Sequence, residues 1–133
     1  NSLEMQYAGA NNSIYILKKI EDGVFFNEIK PDKMPIAIYE KMKDFTNNTL
    51  QLEKGDRIYM FSDGFPDQFG GPKGKKFNYS NFKKLITNTY PLSLDEQGKA
   101  IENELTSWMA YNNTKTNLSH EQTDDITLLI VEI

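Results

Sequence analysis

The sequence predicts an α+β fold built on a largely antiparallel sheet. Three observations predict it. Short segments of alternating apolar and polar residues fill the first half of the chain. Two stretches of helical spacing follow, and a final β-branched run closes the sequence. Strands, then helices, then one more strand is not the regular alternation of a doubly wound sheet. The last strand must return to a sheet already laid down.

Each element has its own signal. Leu3, Met5 and Tyr7 alternate with Glu4 and Gln6, the period of a half-buried strand. Ala8 to Asn12 is a turn of small residues and asparagines, which tolerate positive φ. Ser13 to Lys18 alternates again, Glu21-Asp22-Gly23 signals a hairpin, and Val24 to Ile29 follows, so these three strands read as a meander. Residues 30–48 hold Pro31 and Pro35, show no clear period and read as loop. Thr49 to Leu52 reads as a strand. Lys54-Gly55-Asp56 then turns the chain into Arg57 to Phe61, apolar on both faces and so expected at the centre of its sheet. Asp67 to Lys76 is glycine-rich and reads as a loop or flap. Phe82, Leu85 and Ile86 give Tyr79 to Thr89 helical spacing. Ser93 and Glu96 form a capping-box pattern ahead of a helix reaching about Tyr111, with Ile101, Leu105, Trp108 and Met109 on one stripe. Asn112 to Thr123 reads as polar loop, and Ile126 to Ile133 as the closing strand.

Composition narrows the function. The chain has 133 residues, 38% of them hydrophobic, which suits one domain of roughly 100–150 residues with a single core. It opens abruptly, with Leu3 to Tyr7 already a strand, and is read as a piece of something longer. A net charge of −4 argues against a nucleic-acid binder, which needs a basic face to neutralise phosphates. There is no cysteine, so neither a disulfide framework nor a thiolate metal site is available, and a reducing, cytoplasmic setting is expected. No apolar run approaches the ~20 residues of a membrane-spanning helix.

Two acidic spots carry the chemical reading. Asp63 ends an apolar strand and precedes Gly64; Asp124 and Asp125 precede another. If those strands are antiparallel neighbours, the end of one lies beside the start of the other, and Asp63 meets Asp124 on one sheet edge. Clustered carboxylates repel unless a cation neutralises them, and aspartate oxygens suit Mg²⁺ or Mn²⁺. With one histidine and no cysteine, zinc or copper is disfavoured. Taken singly, Asp-Gly after a strand is more often a turn than a ligand. The Asp124-Asp125 pair also reads as a turn with a gatekeeper charge.

The order of motifs adds a resemblance. Phe61-Ser62-Asp63-Gly64-Phe65-Pro66-Asp67 resembles the "SDG" segment of the PPM (protein phosphatase 2C-like) superfamily, and Gln122 to Leu129 resembles its terminal Asp-Asp-Ile-Thr segment. Tyr7 to Asn12 matches the "YAGANN" region of the bacterial SpoIIE-type serine phosphatases. Gln68 to Pro72 with Lys75-Lys76-Phe77 looks like a variant found where such domains end long sensor proteins. The resemblance covers nearly all of residues 1–133. It implies the C-terminal portion of an α-β-β-α sandwich with mostly antiparallel sheets, lacking its N-terminal strands.

It also implies a binuclear Mn²⁺ or Mg²⁺ centre in a protein serine/threonine phosphatase, with metal-activated water and not a side chain as nucleophile. Asp63 and Asp124 match metal ligands, Asp67 matches the ligand of an additional metal, and Gly64 and Asp125 take supporting places. Pro66 departs from the usual residue but removes no ligand. The remaining metal carboxylates of the family lie upstream of the "YAGANN" region, so these residues alone are expected to be inactive. Exposed apolar surface and self-association as a homodimer are expected as well. The implied partners are a phosphorylated regulatory protein of the anti-anti-sigma type and an upstream sensor domain in the same polypeptide. Lys73, Lys75 and Lys76 are candidate substrate contacts, or a solvated loop. His120, just ahead of Asp124, is read as an ordinary loop residue. The rival from another class is a non-catalytic signalling module with a degenerate phosphatase fold.

Overall fold

Alternating side chains set the first strands, and a buried tyrosine pair sets the centre of the main sheet. A computed structural model describes residues 3–38, 40–111 and 120–133. In chain order the elements are β1 (Glu4–Tyr7), β2 (Ile14–Ile20), β3 (Gly23–Ile29), β4 (Asn48–Gln51), β5 (Arg57–Phe61), α1 (Gly64–Asp67), β6 (Phe69–Gly70), β7 (Lys75–Lys76), α2 (Tyr79–Thr89), α3 (Leu94–Met109) and β8 (Leu128–Glu132). The chain up to Phe61, with Leu128–Ile133, makes one compact unit, and Ser62–Thr127 makes a second.

The first unit holds a four-stranded sheet in the order β3-β2-β5-β8, antiparallel throughout. As expected from its doubly apolar pattern, β5 is central, flanked by β2 and β8. Tyr15 lies opposite Tyr59, and both are buried. The Tyr15 ring also packs on Phe26 and Phe61, with centroids 4.9 and 4.6 Å away. At the far end of β5 the Arg57 guanidinium bonds the Glu132 carboxylate at 2.7 Å.

β1 does not continue this sheet as a meander. It pairs with β4, Met5 opposite Leu50, in a separate two-stranded sheet. The reason is the connection after Tyr7. A tight hairpin needs about two residues, whereas Ala8–Asn12 is longer and is pinned from outside. Asn11 donates its N–H to the Asp32 carbonyl and Asp32 donates to the Gly9 carbonyl, each at 2.9 Å. The Tyr7 hydroxyl closes the turn on the Asn12 carbonyl at 2.5 Å, and partial burial raises its pKa above the ordinary tyrosine value. Met5, Tyr7 and Leu50 then pack on Ile14, Ile16 and Ile58, so one face of each sheet is closed by the other. The segment between β3 and β4 is loop apart from one bridge at Asp32, as its prolines suggested. Ile36 and Ile38 in that loop, with Phe25, Leu129 and Val131 on the edge strands, give this unit the exposed apolar surface that was expected.

The second unit is organised by aromatic packing. Phe65, buried in the one-turn helix α1, meets Phe77 and Phe82 with centroids 5.1 Å away in both cases. Trp108 of α3 stands edge-on to Phe77 at 5.1 Å. α2 covers Tyr79–Thr89 as its spacing predicts, and α3 starts on the predicted capping box. The Ser93 hydroxyl and N–H both bond the Glu96 carboxylate, holding its pKa below the usual carboxylate range.

The glycine-rich segment is more ordered than a loop: β6 and β7 pair as a short hairpin. Its glycines let the backbone lie directly on Trp108. A Cβ on Gly70 would fall 2.2 Å from the Trp108 carbonyl oxygen, and one on Gly71 2.3 Å from its ring. Among the described residues no helix is long and apolar enough to cross a membrane. The expected loop from Asn112 falls outside the described residues as far as position 119; residues 120–123 carry no regular structure.

Candidate metal-carboxylate site

The pairing of β5 with β8 decides which acidic residues become neighbours. Phe61 lies opposite Leu128, so the C-terminal end of one strand meets the N-terminal start of the other. The ladder continues one step further, with the Ser62 N–H bonded to the Thr127 carbonyl at 3.0 Å. The Ser62 hydroxyl then locks the junction twice. It donates to the Asp125 carbonyl at 2.8 Å and accepts from the Thr127 N–H at 3.0 Å. These bonds hold the segment carrying Asp63 against the segment carrying Asp124 and Asp125.

Gly64 is required by the same contact. A Cβ there would stand 2.4 Å from the Asp125 carbonyl oxygen and 2.9 Å from its carbon. Both are backbone atoms that cannot swing aside. Gly64→Ala should therefore cost about 1–3 kcal/mol as an overpacked contact. Denaturant melting measures the loss, and an unchanged midpoint would show that the two segments separate freely.

Asp63 stands at the N-cap of α1 but does not use its side chain as the cap, and it is exposed. The Asp67 N–H bonds the Asp63 carbonyl at 2.9 Å, one helical turn on, so the two carboxylates share one face of the turn. Asp124 Oδ1 accepts from the Asp125 N–H at 2.7 Å, which fixes its rotamer, and the Gln122 amide donates to the Asp124 carbonyl at 2.8 Å.

Asp67 has a partner the sequence did not reveal. The Lys76 ammonium, across the hairpin, reaches Asp67 Oδ1 at 3.1 Å. Both side chains are about half exposed, so the pair itself contributes little to stability. It bears on chemistry instead, since a cation bound by Asp67 would compete with Lys76 for Oδ1 or bind through Oδ2. Lys75 and Lys73 are exposed, Lys75 on β7 and Lys73 in the turn before it. The His120 ring lies beside Gly74, where a Cβ would be 3.4 Å from Cε1 and Nε2. His120 is thus a neighbour of the hairpin turn.

Sequence reasoning missed two residues here. Ser62 was visible only as part of a motif, although a hydroxyl beside a candidate ligand is a signal for a local lock. Gln68 looked like loop, yet it is fully buried.

The donor set is all carboxylate, which fits a hard divalent cation and no soft metal. Among the described residues, however, no group of three or more aspartate, glutamate, histidine or cysteine side chains converges as a metal site. The carboxylates here fit part of such a site.

Solved structures share this fold. Over 98% of its length the chain matches 46% of the SiaA PP2C domain of Pseudomonas aeruginosa, at 27% identity and a TM-score of 0.75. Over 99% it matches 34% of the PP2C phosphatase domain with a regulatory-domain fragment of SpoIIE from Bacillus subtilis, at 22% identity and a TM-score of 0.59. It likewise matches, over 99%, 49% of the SpoIIE phosphatase domain from Bacillus subtilis, at 20% identity and a TM-score of 0.51. The last two likenesses bear on fold alone. The chain thus spans less than half of each of these structures. No curated protein matches it in sequence. The family model described as stage II sporulation protein E (SpoIIE) matches residues 1–133. With a match over the whole chain and a PP2C-like fold beneath it, the chain belongs to the SpoIIE family.

Proposed function

We propose that these residues form the C-terminal portion of a metal-dependent protein serine/threonine phosphatase domain. The parent domain hydrolyses phosphoserine or phosphothreonine on a regulatory protein in bacterial signalling. The observation that carries the reading is the Ser62 lock, which holds the Asp63 and Asp124 segments side by side. Asp63 and Asp124 would hold Mn²⁺ or Mg²⁺, Asp67 would serve a further ion in competition with Lys76, and Gly64 and Asp125 would support the turn. Bound there, a divalent pair would activate water and neutralise charge on the phosphoryl oxygens. The chain's own part is to orient the carboxylates: α1 fixes Asp63 and Asp67, and the Asp125 N–H fixes Asp124. The domain sits in the cytoplasm, with a sensor domain upstream in the same polypeptide.

Residues 1–133 alone would bind Mn²⁺ weakly and hydrolyse little, in keeping with the incomplete ligand set among the described residues. The test is hydrolysis of a phosphoserine peptide by the full-length protein in MnCl₂, in MgCl₂ and in EDTA, beside the 133-residue chain. Activity of the full-length protein that EDTA removes, with a silent 133-residue chain, is the expected result. Metal-independent turnover would overturn the reading, and robust turnover by the short chain would overturn the division of the site.

A non-catalytic binding module is the second reading. The Asp67–Lys76 pair favours it, because an acidic position already neutralised by lysine needs no metal. Lysine reversal probes the substrate contact. Lys75→Glu in the full-length enzyme should raise KM several-fold with kcat unchanged, as loss of a contact made equally in ground and transition states does. Unchanged kinetics would return Lys75 to a solvated loop. Lys76→Glu is the poorer probe, since it also places a second carboxylate beside Asp67.

A further inference from the structure

Gln68 and Gln97 are both fully buried in the second unit, and Gln68 is the one that bonds the segment leading to Asp124. It follows Asp67 directly and ends α1. Its side-chain amide donates to the Glu121 carbonyl at 2.9 Å and to the Phe69 carbonyl at 3.0 Å. Its Oε1 accepts from the Thr123 N–H at 3.3 Å. The residue's main-chain carbonyl is also engaged, by the Phe77 N–H at 2.9 Å and the Trp108 indole N–H at 3.2 Å. The side chain and its backbone are therefore both fixed.

The pattern of those bonds is specific. An acceptor at residue 121 and a donor at residue 123 are what a neighbouring strand would engage around residue 122. Among the described residues, 120–123 have no regular structure and pair with no strand, so the Gln68 amide stands in for one. The last residue it holds, Thr123, immediately precedes Asp124. A buried amide costs free energy unless it is fully bonded, and an apolar side chain of the same size would fill the space at lower risk. A satisfied amide here fixes the register of a segment.

We propose that Gln68 is a positioning residue for Asp124. It ties the residues just before Asp124 to the end of the turn that carries Asp63 and Asp67, while the Ser62 lock holds the residues just after Asp124. The inference rests on the metal reading of Asp124 given above.

The test uses the full-length protein, with Mn²⁺ as MnCl₂ titrated by the EPR signal of the free ion. Amide hydrogen exchange is followed in parallel at Thr123 and Asp125 and, for comparison, in α2 and α3. Gln68→Leu removes all three side-chain bonds at similar volume; Gln68→Glu keeps the acceptor and loses the donors. Gln68→Leu should weaken Mn²⁺ binding several-fold, less than the roughly 10–100-fold that loss of a group bonded to the ligand itself costs, because Gln68 reaches Asp124 through the backbone at Thr123. It should speed exchange at Thr123 while α2 and α3 stay protected, and Gln68→Glu, which turns a buried carboxylate toward the Glu121 and Phe69 carbonyls, should weaken Mn²⁺ binding at least as much. Unchanged Mn²⁺ affinity in a folded variant, with or without faster exchange at Thr123, overturns the proposal. Loss of protection throughout α2 and α3 in both variants assigns Gln68 to general core stability and overturns it as well. Asp124→Asn is the control that separates the two claims. If that variant still binds Mn²⁺ normally, the metal reading has failed and the positioning role falls with it. If it loses Mn²⁺ while Gln68→Leu does not, only the role of Gln68 has failed.

Discussion

Asp63→Asn and Asp124→Asn, made singly in the full-length protein, should each remove Mn²⁺-dependent phosphatase activity. The change replaces one carboxylate oxygen by an amide nitrogen at nearly constant volume. It removes a charge and a hard donor and leaves packing alone. Losing an outer partner of a metal ligand costs roughly 10–100-fold, and losing the ligand itself should cost more. Asp63 is exposed and does not cap α1 with its side chain, so its loss should leave the melting midpoint in place. Asp124 binds the Asp125 N–H through Oδ1, a bond that asparagine can still accept, so that variant should also fold. The measurements are Mn²⁺ titration and turnover of a phosphoserine peptide, with circular dichroism to confirm folding. Two folded variants with native activity would remove both residues from the site.

Phe65→Ala should give the largest loss of stability. Phe65 is buried between Phe77 and Phe82, and truncating such a ring costs about 3–5 kcal/mol. The effect reaches function because Phe65 belongs to α1, the single turn that carries Asp63 and Asp67. A helix of four residues has almost no stability of its own and persists through the packing of its apolar side chains. Chemical denaturation should show the midpoint falling with little change in slope, and Mn²⁺ affinity should drop in the fraction that remains folded. A loss below about 1 kcal/mol, no more than an average substitution costs, would mean that the aromatic cluster does not organise this unit.

The sheet was legible where pattern and position agree. β5 is apolar on both faces, and only a central strand needs that, so a central position followed from residues 57–61; the structure shows its neighbours to be β2 and β8. The antiparallel return of β8 followed from element order. The partner of β1 was not legible. Alternation says that Glu4–Tyr7 is a strand but not which strand it joins, and the answer depends on Asp32 reaching back to pin Ala8–Asn12. α1 and the β6–β7 hairpin were too short to show a period.

The candidate site was partly legible for the same reason. The neighbouring segments that carry Asp63 and Asp124 follow from strand pairing, which the sequence encodes over many residues. The Lys76 partner of Asp67 and the Gln68 bridge depend on single side chains crossing a hairpin or entering a core, and no periodic signal marks them.

The central claim is that Asp63 and Asp124 share a metal centre. The most direct measurement is anomalous diffraction at the manganese edge from crystals of the full-length protein grown in MnCl₂. The account predicts an anomalous peak with both carboxylates as ligands at about 2.0–2.2 Å, the range of small divalent ions on carboxylate oxygen. A peak bound elsewhere, or crystals at saturating Mn²⁺ with no peak at these residues, would contradict it.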